Sequence, residues 1–474
     1  MKAKNSSARK GVKRRRTGCS ACRASHHKCD EVRPICGRCK RLDLECEPSN
    51  FIVQSLPTDW GGVSTESTPD ITIREPVPPV STWDLFSGSI DPLPPAVHSQ
   101  DSDLPSNSRQ RLDSEQVTLI QGFQNGIGCW VGVFDDEFYF QRTVPRMALN
   151  SGLLLNAICA LTAKQRSGTE KGQVWKAAAV HYYGDALRHL IQTLGGPGYV
   201  VEEALVGTIL LSSYELNDSP GLDHRRHVCG ALTLVRKYGC KASSKGLTRA
   251  AFWVYARQDV SMALAHECPT MLPPDEWEVD WGENEQSDYM LGNKIVWILA
   301  NVLQYTFSDV SKSTSSSRRR NALKRELDSW FGSLPKAFCG VPYESNPKDG
   351  FSKLFFVAPS NAAATCFYYL ARLLLLVKEV QLQPSSKKAS QPEINEIAQA
   401  IADIGFSPLS DIALIHAVQP LFYAARHIDS FEKKARIWTL LDRIEVQSGF
   451  HTSIEVQKLR DEANIAYQQG KESI

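Results

Sequence analysis

Along most of the chain, apolar positions recur every three or four residues, the spacing of a helix face turned towards a core. Trp175, Ala179, Tyr182, Ala186 and Leu190 share one such face, with Tyr183, Leu187, Ile191 and Leu194 beside them. Gly195, Gly196 and Pro197 then supply a stop signal. A second helix is predicted through Ala204, Leu205, Thr208 and Leu211 towards Tyr214 and Glu215, and a third after Asp223 as N-cap, with Val228, Ala231, Leu232 and Val235 inward and Gly239 closing it. The same reading predicts helices around Thr248 to His266, Tyr289 to Thr306, Asn321 to Phe331, Asn361 to Glu379, Ile394 to Ile404, Asp411 to His427, Ala435 to Gln447 and Ser453 to Ala466. No stretch alternates with the period of two that a strand requires. Residues 114–474 are therefore expected to form a large all-α body. The best uninterrupted apolar run, Phe367 to Val377, carries Arg372 and falls short of the roughly 18 residues a membrane span needs, so a soluble chain with no membrane partner is expected.

Residues 47–113 break the pattern. Ten prolines fall there, acids outnumber bases by 10 to 3, and the apolar residues are too scattered to build a core. This reads as a Pro-rich, acidic, disordered linker. Pro48 and Pro57 interrupt any heptad, which argues against a coiled coil and leaves a monomer, or a dimer formed through the helical body. Trp83, Asp84, Leu85 and Phe86, with Ile90 and Asp91 nearby, have the composition of an activation segment, although a plain spacer is the ordinary reading of so short a run.

Composition changes the picture at the head of the chain. The whole sequence of 474 residues carries a net charge of only +2, yet residues 1–46 hold 14 Lys and Arg against 4 Asp and Glu. A basic head thus precedes an acidic body, the asymmetry expected of a nucleic-acid binder. Residues 1–18 read as a disordered basic arm, in which Lys13, Arg14, Arg15 and Arg16 suit nuclear import or a grip on phosphate. The predicted location is the nucleus.

Cys19, Cys22, Cys29, Cys36, Cys39 and Cys46 follow with the spacing C-x2-C-x6-C-x6-C-x2-C-x6-C, a repeat of three thiols per half. Structural zinc takes four tetrahedral ligands, with thiolate sulfur about 2.3 Å away. Three thiols per half fall one short, so two ions sharing six thiolates require two of those to bridge. No apolar signal-like segment precedes Cys19, so the thiols are expected to be reduced, and zinc explains the pattern better than disulfides. Even after six thiolates and two Zn(2+) are counted, the small module keeps a strong positive charge that would seek phosphate.

These residues resemble the DNA-binding module of the fungal zinc binuclear cluster transcription factors, in which a basic helix between the second and third cysteines ends in Lys-Cys-Asp. Here that helix is Cys22-Arg23-Ala24-Ser25-His26-His27-Lys28-Cys29-Asp30, and Pro34 stands at the family's loop proline. The resemblance covers a small part of the chain but is highly specific. It implies a module of two short helix-loop halves over residues 19–46. In it Cys19 and Cys36 bridge, Cys22 and Cys29 complete one zinc, and Cys39 and Cys46 complete the other. It also implies that Ser25 and His26 face bases in the major groove while Arg23 and Lys28 face the backbone. The family's usual lysine or arginine at the middle positions is missing, so its preference for CGG-like triplets is an expectation only.

The body also resembles the helical regulatory domain that accompanies such clusters. The similarity is carried by Ala178 to Leu190 with its paired tyrosines, Tyr214-Glu215, His227 with Gly230-Ala231, Phe252 to Asp259, and Pro269 to Trp277. It covers most of residues 114–300 and fades beyond. Nothing there has the pattern of an enzyme. Gly195-Gly196-Pro197-Gly198 lacks the lysine of a phosphate loop, and the histidines do not pair at metal-binding spacing. Cys129, Cys159, Cys229, Cys240, Cys268, Cys339 and Cys366 lie far apart and read as core thiols. His227 with Arg257 and Asp259 could line a ligand pocket, although structural hydrogen bonding is the ordinary role of such groups. The expected function is a sequence-specific factor regulating transcription by RNA polymerase II, partnered by double-stranded DNA, transcription machinery or co-regulators, and a small-molecule effector. The rival readings are a zinc-stapled protein-interaction module, an RNA binder, and an accessory zinc module on a helical metabolic protein. An RNA binder usually stacks bases on aromatic side chains, and residues 1–46 contain none.

Overall fold

The computed structural model describes residues 36–42, 111–169, 172–196, 200–217, 225–282, 287–308, 314–344 and 349–472. The chain divides into two compact units, residues 1–99 and 100–474. In the first, the described element is a short helix, α1 (Gly37–Leu42).

The second unit is helical almost throughout. It opens with α2 (Ser114–Asn125), α3 (Ile127–Val131), a five-residue π-helical turn (Tyr139–Thr143), α4 (Val144–Ala148), α5 (Gly152–Ser167) and α6 (Lys176–Gly195). There follow α7 (Val201–Leu216), α8 (Arg225–Lys237), α9 (Gly246–His266), α10 (Asp288–Phe307) and α11 (Thr314–Gly332). After a small hairpin, the chain closes with α12 (Pro359–Leu382), α13 (Lys387–Gly405), α14 (Asp411–His427), α15 (Phe431–Ser448) and α16 (Ser453–Glu472). Local chemistry sets many of the boundaries. Asp113 and Gln116 form a reciprocal capping box at the start of α2. Ser151, Ser287 and Ser430 each accept a backbone N–H at the starts of α5, α10 and α15.

Two kinds of helix build the core. On α6 the buried residues are Ala179, Tyr182, Ala186 and Leu190, the stripe that the periodicity predicts. By contrast α5, α9 and α12 are buried on nearly every face. α5 packs on α2, α6 and α7, and α12 packs on α10, α13 and α14. α12 is long and apolar enough, by length and composition, to cross a membrane, but 78% of its apolar window is buried among these neighbours. Aromatic side chains fill the space between helices. Trp277, fully buried, meets Phe252 and Trp253 edge-on at 5.8 Å and donates its indole N–H to the Leu272 carbonyl at 3.1 Å.

The two ends of the unit are tied together. The link between α15 and α16 docks on α5 and α7 through Asn217, whose amide donates to the Gly449 carbonyl at 3.0 Å and accepts the His451 N–H at 2.8 Å. Gly449 has φ of +70° and lies so close to α5 that a Cβ there would sit 1.9 Å from the Gln165 carbonyl oxygen. Only glycine meets both demands.

The structure departs from the expected all-α body in one detail. Val341–Glu344 (β1) and Lys353–Phe355 (β2) form an antiparallel hairpin, with Val341 opposite Phe355, Pro342 opposite Leu354 and Glu344 opposite Lys353. These strands are too short to show an alternating pattern. The N-cap role expected of Asp223 lies outside the described residues.

Candidate functional site

Two of the six N-terminal cysteines lie within the described residues. Cys36 precedes α1 and Cys39 lies in its first turn, so the C-x2-C spacing brings the two thiols to one side of the helix. The Cys39 N–H points at the Cys36 Sγ at 3.4 Å, and the Lys40 N–H closes the turn on the Cys36 carbonyl at 2.9 Å. Cys36 and Cys39 are 1% and 0% exposed, while Lys40, Arg41 and Leu42 are exposed. Paired buried sulfurs, one of them accepting a backbone N–H, fit the thiolate ligands of a structural metal, because the amide hydrogen bond supports charge on sulfur and orients its lone pairs. Cys19, Cys22, Cys29 and Cys46, the helix residues Arg23, Ser25, His26 and Lys28, and the arm residues Lys13 to Arg16 lie outside the described residues.

In the helical unit, the Phe252–Asp259 stretch proves to be the polar centre of α9. Two positions apart on a helix, Arg257 and Asp259 face different neighbours. Asp259, 1% exposed, accepts the N–H groups of Met271 and Leu272 at 2.9 Å each and the Tyr255 hydroxyl at 3.4 Å. Burial pushes its carboxyl up to about 6 against the pull of those hydrogen bonds. Arg257 donates to the Val131 carbonyl and, at 3.4 Å, to the Asn293 side-chain oxygen, while Asn293 donates to the Phe134 carbonyl at 3.0 Å. Burial lowers the guanidinium to about 10, opposed by the charge of Asp135. His416 on α14 faces the Trp130 carbonyl at 3.0 Å, and burial, aided by Arg257, lowers it to about 4.

Comparison with known families now decides the identity. The family model described as the fungal specific transcription factor domain matches residues 118–459, and that of the fungal Zn(2)-Cys(6) binuclear cluster domain matches residues 17–53. The chain belongs to the fungal zinc-cluster transcription factors. Over 92% of its length it is 23% identical to the transcription activator AMTR1 of Alternaria alternata, covering 79% of that protein. Over 20% of its length it is 31% identical to the sterol uptake control protein 2 of Candida albicans, covering 14% of that protein. No solved structure matches the chain. The domain match runs to residue 459, well past the residue 300 at which the motif resemblance fades.

This zinc-cluster factor therefore belongs to a family of non-enzymatic regulators. Among the described residues no group of three or more His, Cys, Asp or Glu could hold a metal ion. The further cysteines divide by position. Cys159, Cys240 and Cys366 are buried as core thiols should be, Cys129, Cys268 and Cys339 are half-buried, and Cys229 is exposed, which corrects the expectation for that residue. Of the expected pocket residues, Arg257 lines a cleft, Asp259 serves the 271–272 turn, and the His227 side chain lies outside the description. Asp135, Asn293 and His416, which complete the polar centre, carry no sequence signal, because the contacts that recruit them join positions as much as 286 residues apart.

Proposed function

We propose that this chain is a nuclear, sequence-specific DNA-binding regulator of transcription by RNA polymerase II, whose N-terminal module holds two zinc ions on six cysteines. The observation that carries the reading is the buried Cys36 and Cys39 pair within the matched binuclear-cluster segment. In this reading Cys19 and Cys36 bridge, Cys22 and Cys29 complete one site, and Cys39 and Cys46 complete the other. Bound zinc would supply the folding free energy of a unit too small for a core of its own. The helix through Arg23, Ser25, His26 and Lys28 would enter the major groove. Ser25 and His26 would face base edges, and Arg23 and Lys28 the phosphates, with Lys13 to Arg16 adding backbone contacts or directing nuclear import. Residues 47–113 would provide reach, and the helical unit would regulate through co-regulators or a bound effector. The relative's description as a transcription activator, together with the acidic and aromatic run Trp83 to Phe86, favours activation over repression.

Selection of bound duplexes from a random pool at stated salt tests this reading. Enrichment of one motif, CGG-like by family expectation, with affinity falling steeply as salt rises, is the expected result. No enriched sequence and a flat salt dependence would instead favour a zinc-stapled protein-interaction module.

A further inference from the structure

The hairpin between α11 and α12 turns an apolar face to solvent. Val341 and Tyr343 on β1 are 55% and 57% exposed, and Phe355 and Val357, on and just after β2, are 57% and 68% exposed. Val341 lies directly opposite Phe355, so the two side chains stand next to each other on one face of the sheet. Leu354 and Phe356, which alternate with Phe355 and Val357, pack on the core instead. The exposed parts of the four side chains amount to roughly 400–500 Å², as large as the largest apolar patch of an ordinary monomer, which is often functional.

The face is firmly held and its edges are closed. Phe351, fully buried, stacks on Phe406 at 4.0 Å and roots the approach to β2 against the end of α13. Phe356 lies so close over Gly340 that a Cβ there would come within 2.6 Å of its ring. Along β2 the Ser352 N–H donates to the Asp403 carboxylate at 3.1 Å and the Leu354 N–H to the Ser407 hydroxyl at 2.9 Å, so side chains from the α13 end occupy that edge. On β1, Pro342 has no N–H to offer. Neither edge invites an added strand, and whatever covers this hairpin must do so by its face.

We propose that a second copy of this chain covers the face, the two hairpins packing against each other about a two-fold axis. Three observations favour a copy over a foreign protein. Val341, Tyr343, Phe355 and Val357 bring no charge, and such a face is its own complement; homodimer interfaces are accordingly more apolar than those of exchanging partners. The patch supplies about half of the roughly 800 Å² that one side of a standard interface buries, enough with its rim for a dimer of micromolar strength. Pro48 and Pro57 break any heptad behind the cysteines, so pairing of chains falls to the helical unit. The inference goes beyond the reading of the zinc module and does not depend on it.

Sedimentation equilibrium of the full-length zinc-loaded chain, at concentrations from about 1 to about 100 μM, tests it. The expected result is a mass that rises from one chain towards two across that range. Phe355→Glu sets like charges against each other across the two-fold axis and should weaken association at least about tenfold. Val357→Lys should do the same, and helical circular dichroism at the parental level shows that a variant is folded. Ile191→Glu, at an exposed apolar position on α6 outside the hairpin, should leave association unchanged. A chain that stays monomeric at the highest concentration leaves the face to a foreign partner and overturns the proposal. Association that survives either hairpin substitution in folded protein, or that Ile191→Glu abolishes, overturns it too. Duplex selection on the same preparation separates the two readings. A monomer that selects DNA loses only the dimer, and a dimer that selects none loses the proposed function.

Discussion

His416 should make the helical unit sensitive to acid. The ring is half-buried, edge-on to Phe367 and against the Trp130 carbonyl, and protonating it would place a second cation near Arg257. Its value falls from the ordinary 6.5 to about 4 in the folded chain, so between those values the unfolded chain binds the proton and the folded chain does not. Stability contributed by the neutral ring is therefore complete above pH 6.5 and is lost as pH falls towards 4. At about 1.4 kcal/mol per pH unit over that window, the loss between pH 8 and pH 5 is about 2 kcal/mol, approaching about 3 below pH 4. His416→Gln keeps a donor for the Trp130 carbonyl and removes the titration. Urea unfolding of both proteins, followed by helical circular dichroism at pH 8, 6.5 and 5, reads the difference. Acid effects common to both, such as that of His427, cancel in the comparison. The parent should lose about 2 kcal/mol more than the variant from pH 8 to 5. Equal slopes would refute the account of His416 as a neutral ring held uncharged by the fold.

Three further outcomes follow from named contacts. Asp259→Ala leaves the buried N–H groups of Met271 and Leu272 without their acceptor and should cost about 3 kcal/mol, measured by the same urea transitions at pH 7. Gly449→Ala combines a left-handed backbone with a Cβ driven into the Gln165 carbonyl; a loss of at least about 2 kcal/mol is expected, and a drop of under about 2 °C in melting temperature would contradict it. Cys29→Ala should abolish duplex binding while the helical circular dichroism of the body stays at the parental level, and retained DNA affinity would remove the argument for zinc.

How much of this was legible in the sequence depended on where each signal lay. α6 was readable because it is buried on one side only, which writes its packing into the spacing of Ala179, Tyr182, Ala186 and Leu190. α5 is not among the helices that the sequence reading predicts; Leu153 to Ala163 is buried almost all round, which weakens any one-sided period, a handicap that α9 and α12 share although both are predicted. The sequence reading starts α13 at Ile394, yet the helix runs back through Pro392, a residue that normally ends a helix, to Lys387. Burial of Ile394, Ile397 and Ala398 on the same helix shows the packing that outweighs the missing N–H. The cysteine pattern is plain because it is the one the matched binuclear-cluster family carries, in which residue type and spacing are constrained together. The Arg257 centre was only half visible: the sequence marked Arg257 and Asp259 as neighbours, but the fold gives them separate tasks and recruits Asp135, Asn293 and His416 from distant segments. Tertiary contacts of that kind leave no local trace.

The most direct test of the central claim is elemental analysis of the purified full-length chain for bound zinc. Six thiolates sharing two ions predict two zinc ions per chain, released together when the thiols are titrated. A chain that carries no zinc, or one that carries a single ion and still selects a duplex, would contradict the binuclear cluster on which the reading of this protein depends.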